Sequence, residues 1–225
     1  AQILDHVLKT CEEFLASPVE IEFAINVDRL RGERKFAILQ VRQLMDESVD
    51  IDIDLNEVDR SMAVCVSSKS LGNGVIEGIG DVVYVHPGRM DRMRTADLVP
   101  MIEEIDAKLR DSGRPYLLIG PGRWGTSDPS LGIPVQWNQI MGAKTIVEAP
   151  MSDIHVDPSQ GTHFFQNIVT FNIGYLTIVK GDLIDWKWLD SHDPEVEEKG
   201  LRHITLDGSL KVVLDSRDSE AIVVR

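Results

Sequence analysis

The stretch "TADLVPMIEEIDAKLRDSGRPYLLIGPGRWG", Thr95 to Gly125, decides the fold class. It opens as a helix, with Thr95 as the expected N-cap, Pro100 in the early turns where proline is tolerated, and Gly113 as the stop. "PYLLIG" then reads as a short buried strand, and it runs straight into a loop crowded with glycine. A helix delivering a buried strand is the repeat of a mixed α/β chain. Downstream, "KTIVEAP" and "YLTIVKG" read as further strands, with "THFFQNIVTF" as a helix between them. "RHITLDGSLKVVLDSRDSEAIVVR" reads as short strands joined by Asp-Gly and Asp-Ser turns. Upstream, "DVVYVHP" is a strand, and "SMAVCVSSKSLGNGVIEG" is a strand leading into an Asn73-Gly74 turn. The expected class is α+β (mixed α/β), with a β-rich C-terminal part.

Composition narrows the partners. The chain has 225 residues, a formal net charge of -14 and a pI near 4.8. Phosphate backbones need a basic footprint, so nucleic acid and anionic membrane surfaces are excluded as expected partners. No apolar run approaches the ~20 residues of a membrane span, and no signal peptide is expected. Cys11 and Cys65 lie far apart in sequence, and Cys65 falls in an apolar strand pattern. Thiols rather than a disulfide are expected, in a reducing, cytoplasmic compartment. No Cys/His spacing suits zinc.

The front of the chain reads as a separate piece. Ile3 to Leu15 has helical spacing and stops at Ser17-Pro18. "VEIEFAINV" alternates, with Val19, Ile21, Phe23 and Ile25 on one face and Glu20, Glu22 and Ala24 on the other. The charged turn "DRLRGERK" leads to "FAILQVRQL", so the two stretches make an antiparallel hairpin. Glu20 and Glu22 share a face, as do Gln40 and Arg42. Two carboxylates, an amide and a guanidinium can thus meet on one surface. That set suits magnesium and phosphate oxygens, or equally a solvated sheet face with a cross-strand ion pair. The acidic stretch "MDESVDIDIDLNEVD" then marks a boundary, with domains expected at 1–45 and 58–225.

"SPVEIEFAIN" followed by "FAILQVRQL" resembles the end of the nucleotide-binding domain of phosphoenolpyruvate synthase and pyruvate phosphate dikinase. That domain has an ATP-grasp-like fold, and its closing hairpin carries an acidic-x-Glu pair and a Gln-x-Arg pair. The resemblance implies that Glu20 and Glu22 hold magnesium. It also implies that Gln40 and Arg42 meet the ATP phosphates as cofactor-binding and catalytic groups. The family's first acid is usually aspartate, and here it is glutamate. The match covers about the first fifth of the chain. The family's ATP-gripping lysine and arginine, its phosphohistidine segment and its pyruvate-binding barrel have no counterpart in this sequence. The expectation is a piece of a longer, synthase-like phosphotransferase (a kinase or dikinase type) that uses Mg-ATP. The piece alone is expected to be inactive and to need no cofactor, with its partners the upstream domains.

The remaining motifs lie in the second part. "IGPGRWGTSDPSLG" is neither a P-loop nor a dinucleotide fingerprint. A glycine-rich strand end can offer backbone N–H groups to an anion, so Gly120, Gly122, Arg123, Trp124 and Asp128 are candidate anion-binding residues. The same stretch also reads as an ordered loop with Trp124 packed down and Arg123 paired with Asp128. His163, Gln166 and Asn167 share a helix face and are candidates for an opposite wall. Trp186 and Trp188 have strand parity and read as core or interface, and "DPEVEEKG" reads as a solvated loop. The alternative to a phosphotransferase piece is therefore a non-catalytic module that binds a small anion, a nucleotide or another subunit. Hydrolysis by His163 and Asp128 is a weaker reading, for want of a nucleophile motif.

Overall fold

Apolar residues at helical spacing fold the start of the chain into α1 (Gln2–Leu15). The alternating stretch gives β1 (Val19–Asp28), paired antiparallel with β2 (Glu33–Gln43). In the computed structural model, residues 2–15, 19–28, 33–43, 55, 58–151 and 163–225 are described. The chain divides into two compact units, Ala1–Asp50 and Ile51–Arg225. Within the first unit α1 packs against β1 and β2. The turn expected in "DRLRGERK" centres on residues 29–32, outside the described ones.

The second unit is built on one mixed sheet. Its elements are β3 (Ala63–Ser67), β4 (Ser70–Leu71), β5 (Gly74–Val85), α2 (Val99–Asp111), β6 (Tyr116–Pro121), β7 (Arg123–Trp124), β8 (Gly132–Ile133) and β9 (Ala143–Ala149). After these come α3 (His163–Thr170), β10 (Gly174–Thr177), β11 (Leu183–Ile184), α4 (Trp186–Asp190), β12 (Val196–Glu198), β13 (Leu201–Asp215) and β14 (Glu220–Val224). Among the described residues the strand order is β11-β3-β14-β13-β5-β6-β9-β10-β4, with β12 on β13. In this sheet β5, β6, β9 and β10 run parallel and the others join antiparallel, while β7 and β8 form a separate parallel pair. The fold is thus mixed helix and sheet, of the α+β class.

Strand period sets the two sides of the core. Val83, Val85, Tyr116 and Leu118 face Ile102, Ile105 and Leu109 of α2 and Phe164 and Ile168 of α3. Val82, Tyr84, Leu117 and Ile119 pack on the other side with Leu189 of α4. Strand β6 is buried along its whole length, which is why it reads as an uninterrupted apolar run. Each of the three apolar side chains of α2 contributes about 2 kcal/mol by leaving water. Cys65 is buried and Cys11 half-buried, both free thiols. Burial pushes the Cys65 thiol far above its ordinary range. No described helix is long and apolar enough to cross a membrane.

Four local readings change. Thr95 does not cap α2: Asp91 caps a preceding 3-10 turn, Arg92–Leu98, accepting from the Met93 N–H at 3.0 Å. Thr95 is buried and donates its hydroxyl to Pro129 O at 3.0 Å. Trp186 and Trp188 stand on a helix, not a strand, because the Asp185 side chain accepts from the Trp188 N–H and starts α4 there. The acidic run after Asp193 holds β12, paired to the first residues of β13. Strand β13 itself runs 15 residues through Asp207-Gly208, absorbing the expected turn as register shifts between Thr205 and Val212.

Candidate functional site

In the first unit, strand register brings the four polar positions of the hairpin together. Glu20 lies opposite Arg42, and Glu22 opposite Gln40. Directly opposed residues share a face of the ribbon, so all four positions belong to one surface. The next pair is Phe23 with Ile38, which leaves Leu39 as an extra residue in β2. Such a bulge increases local twist and re-aims the side chains beside it. Glu22 and Gln40 are exposed, while the side chains of Glu20 and Arg42 lie outside the described ones. Two carboxylate positions and an amide on one open surface fit a magnesium ion. That ion takes one or two protein carboxylates and completes its shell with water and phosphate oxygens.

In the second unit, the loop after β6 explains its own glycines. A Cβ on Gly120 would lie 2.3 Å from the Trp124 ring. Gly122 has φ +67, and a Cβ there would stand 2.2 Å from Leu131 O. A Cβ on Gly125 would meet the Phe164 ring at 2.5 Å. The glycines therefore admit protein atoms. Trp124 is 1% exposed, and its indole N–H donates to Val147 O at 3.2 Å. Asp128 caps the 3-10 turn Pro129–Leu131, accepting from Ser130 N–H at 2.9 Å and Ser130 Oγ at 2.7 Å.

The same corner exposes a feature that the sequence pattern hid. Glu148, near the carboxyl end of β9, is in register with Gly120 of β6 and Thr177 of β10. It is 4% exposed, and its Oε1 accepts the Trp124 N–H at 3.1 Å. Burial pushes its carboxyl up to about 7. The Tyr175 hydroxyl, the Trp124 N–H and the Arg123 charge oppose that rise. A carboxyl titrating near neutrality at the carboxyl ends of parallel strands is placed where such sheets hold ligands. A lone acid inside the apolar run "KTIVEA" was the available signal.

Helix α3 does meet the loop, through Phe164 on Gly125. Phe164 also packs edge-on against Trp137 at 5.9 Å. Asn167 is half-buried, and its carbonyl accepts from the Phe171 N–H. The side chains of His163 and Gln166 lie outside the described ones.

Two further polar networks pin the sheet. Asp81 Oδ1 receives Arg114 at 2.6 Å, His203 Nε2 at 2.8 Å and the Thr205 hydroxyl at 3.0 Å. Tyr84, Arg202 and Arg89 converge on Asp190. Among the described residues no group of three or more His, Cys, Asp or Glu side chains gathers as a metal cage. Compared with protein-family models, curated proteins and solved structures, the chain shows no match.

Proposed function

We propose that the first unit supplies the closing hairpin of a Mg-ATP site in a phosphoenolpyruvate synthase-like phosphotransferase, with the second unit as an appended α/β domain. The supporting observation is the register: Glu20 opposite Arg42 and Glu22 opposite Gln40, with the Leu39 bulge directly behind. In this reading Glu20 and Glu22 hold the magnesium, and Gln40 and Arg42 orient and neutralise the phosphate oxygens. The ion, when bound, withdraws charge from the phosphates. The state of the unit agrees with a missing remainder. Phe14 is 87% exposed, Leu39 60% and Ile25 56%. One helix on a two-stranded ribbon is too little to stand alone, and these apolar side chains need cover. The test is activity of the full-length protein. Glu22→Gln and Arg42→Ala should each lower ATP-dependent turnover at least about 100-fold, the loss of one charge-stabilising group. Parental rates in both variants would make the hairpin structural.

A non-catalytic anion-binding module is the second reading, resting on Arg123 directly after the carboxyl end of β6, where open α/β sheets hold ligands. The Gly120–Gly125 backbone is packed against protein, so in this reading Arg123 is the recognition group.

A further inference from the structure

At the carboxyl end of β5 the chain leaves the sheet through a short loop, and a cleft with a cavity of about 190 Å³ opens beside it. Arg89, Arg94 and Lys199 line this cleft, with Asp91, Asp97 and Leu98. Composition does not explain three cations there, because the chain carries 37 acidic residues against 23 basic ones. The place is the first βα connection of the β5-α2-β6 unit, where open α/β sheets hold ligands.

The walls are built to stay in position. Lys199 and Gly200 join β12 to β13, with φ of +52° and +85°. A two-residue hairpin turn with positive φ at both positions normally takes Asn, Asp or Gly first. A lysine in the left-handed region is disfavoured by its Cβ. The turn is braced on the opposite wall: a Cβ on Gly200 would lie 2.8 Å from Arg89 O, and the His86 N–H donates to Gly200 O at 3.0 Å. Arg94 comes from a third element, the 3-10 turn, at a non-helical kink. Leu98, the N-cap of α2, brings the positive end of that helix without a side-chain cap.

Each cation already has a carboxylate neighbour. Arg89 meets Asp190 at 2.6 Å, Arg94 meets Asp97 at 2.5 Å and Lys199 meets Glu198 at 3.4 Å. Arg94 and Lys199 are about half-exposed or more, so their pairs are worth little and exchange readily for a better partner, while the two-oxygen contact with Asp190 fixes Arg89 in place. A phosphate dianion presents three oxygens in three directions, one toward each cation, whereas a carboxylate offers two in a single plane and carries half the charge.

We propose that this cleft binds the phosphate of a small phosphate monoester, held between Arg89, Arg94 and Lys199. The site belongs to the second unit and does not rest on the hairpin reading. It is tested by calorimetric titration at fixed ionic strength with glycerol 3-phosphate, inorganic phosphate and succinate. Both phosphates should bind and succinate should bind more weakly than either. Lys199→Asn and Arg94→Gln should each weaken glycerol 3-phosphate at least about tenfold, as for one lost charge-assisted bond. Lys199→Asn should also raise the urea midpoint, since asparagine tolerates the left-handed turn, so its loss of binding cannot be loss of fold. No binding of either phosphate to the wild type, succinate binding as tightly as glycerol 3-phosphate, or unchanged affinity in Lys199→Asn would each overturn the proposal.

Discussion

Glu148 shows what a single residue adds to this fold. Its neighbours on β9 are buried apolar groups, and burial is the largest influence on its carboxyl, raising it from 4.5 to about 7. The sign follows directly. Between those two values the folded protein keeps a proton that the unfolded chain has released, so stability falls as pH rises through that window and levels off above it. Glu148→Gln removes this dependence. The wild-type-minus-variant difference in unfolding free energy should therefore drop between pH 5 and pH 8, by about 3 kcal/mol at most. Denaturant titrations at the two pH values measure it, and an unchanged difference would refute the assigned titration. Asp81 behaves oppositely. Burial works to raise its carboxyl, but hydrogen bonds from His203 and Thr205 and the Arg114 charge together lower it, so its contribution is lost on acidification. A lone acid in an apolar run marks each position, but neither role was legible in the sequence, because the partners come from distant segments.

The elements were legible where one pattern dominates. The hairpin shows clean alternation, α2 a long helical period and β6 an unbroken apolar run, and all three form. Where two signals compete, the pattern misleads. "DWKWLD" has strand parity, yet a single Asp185 cap turns it into a helix. Asp207-Gly208 looks like a turn, yet pairing of β13 with β5 on both sides carries the strand through. The glycine loop is the sharpest case. Its composition suits an anion cradle, while the structure uses Gly120 to seat Trp124. Gly120→Ala should thus destabilise the fold by about 2 kcal/mol, as overpacking a buried contact does. A urea midpoint equal to that of the wild type would mean the ring is not fixed against this backbone.

At the scale of the whole molecule, the two units carry different chemistry. The second holds an extensive core and its polar networks within the Ile51–Arg225 unit. The first holds a polar hairpin face and exposed apolar side chains, Phe14, Ile25 and Leu39. That Glu20 shares a face with Glu22, and Gln40 with Arg42, was readable from parity, but their meeting was not: the register set at the turn would put Glu22 opposite Leu39, and the Leu39 bulge shifts it so that Gln40 and Arg42 oppose Glu22 and Glu20. In the proposed function this hairpin belongs to a magnesium-nucleotide site. Equilibrium titration of ATP into the full-length protein, with and without magnesium, tests it most directly. Magnesium should tighten ATP binding in the wild type, and Glu22→Gln should cancel at least about tenfold of that gain while leaving the thermal midpoint unchanged. The same magnesium dependence in Glu22→Gln as in the wild type would contradict it.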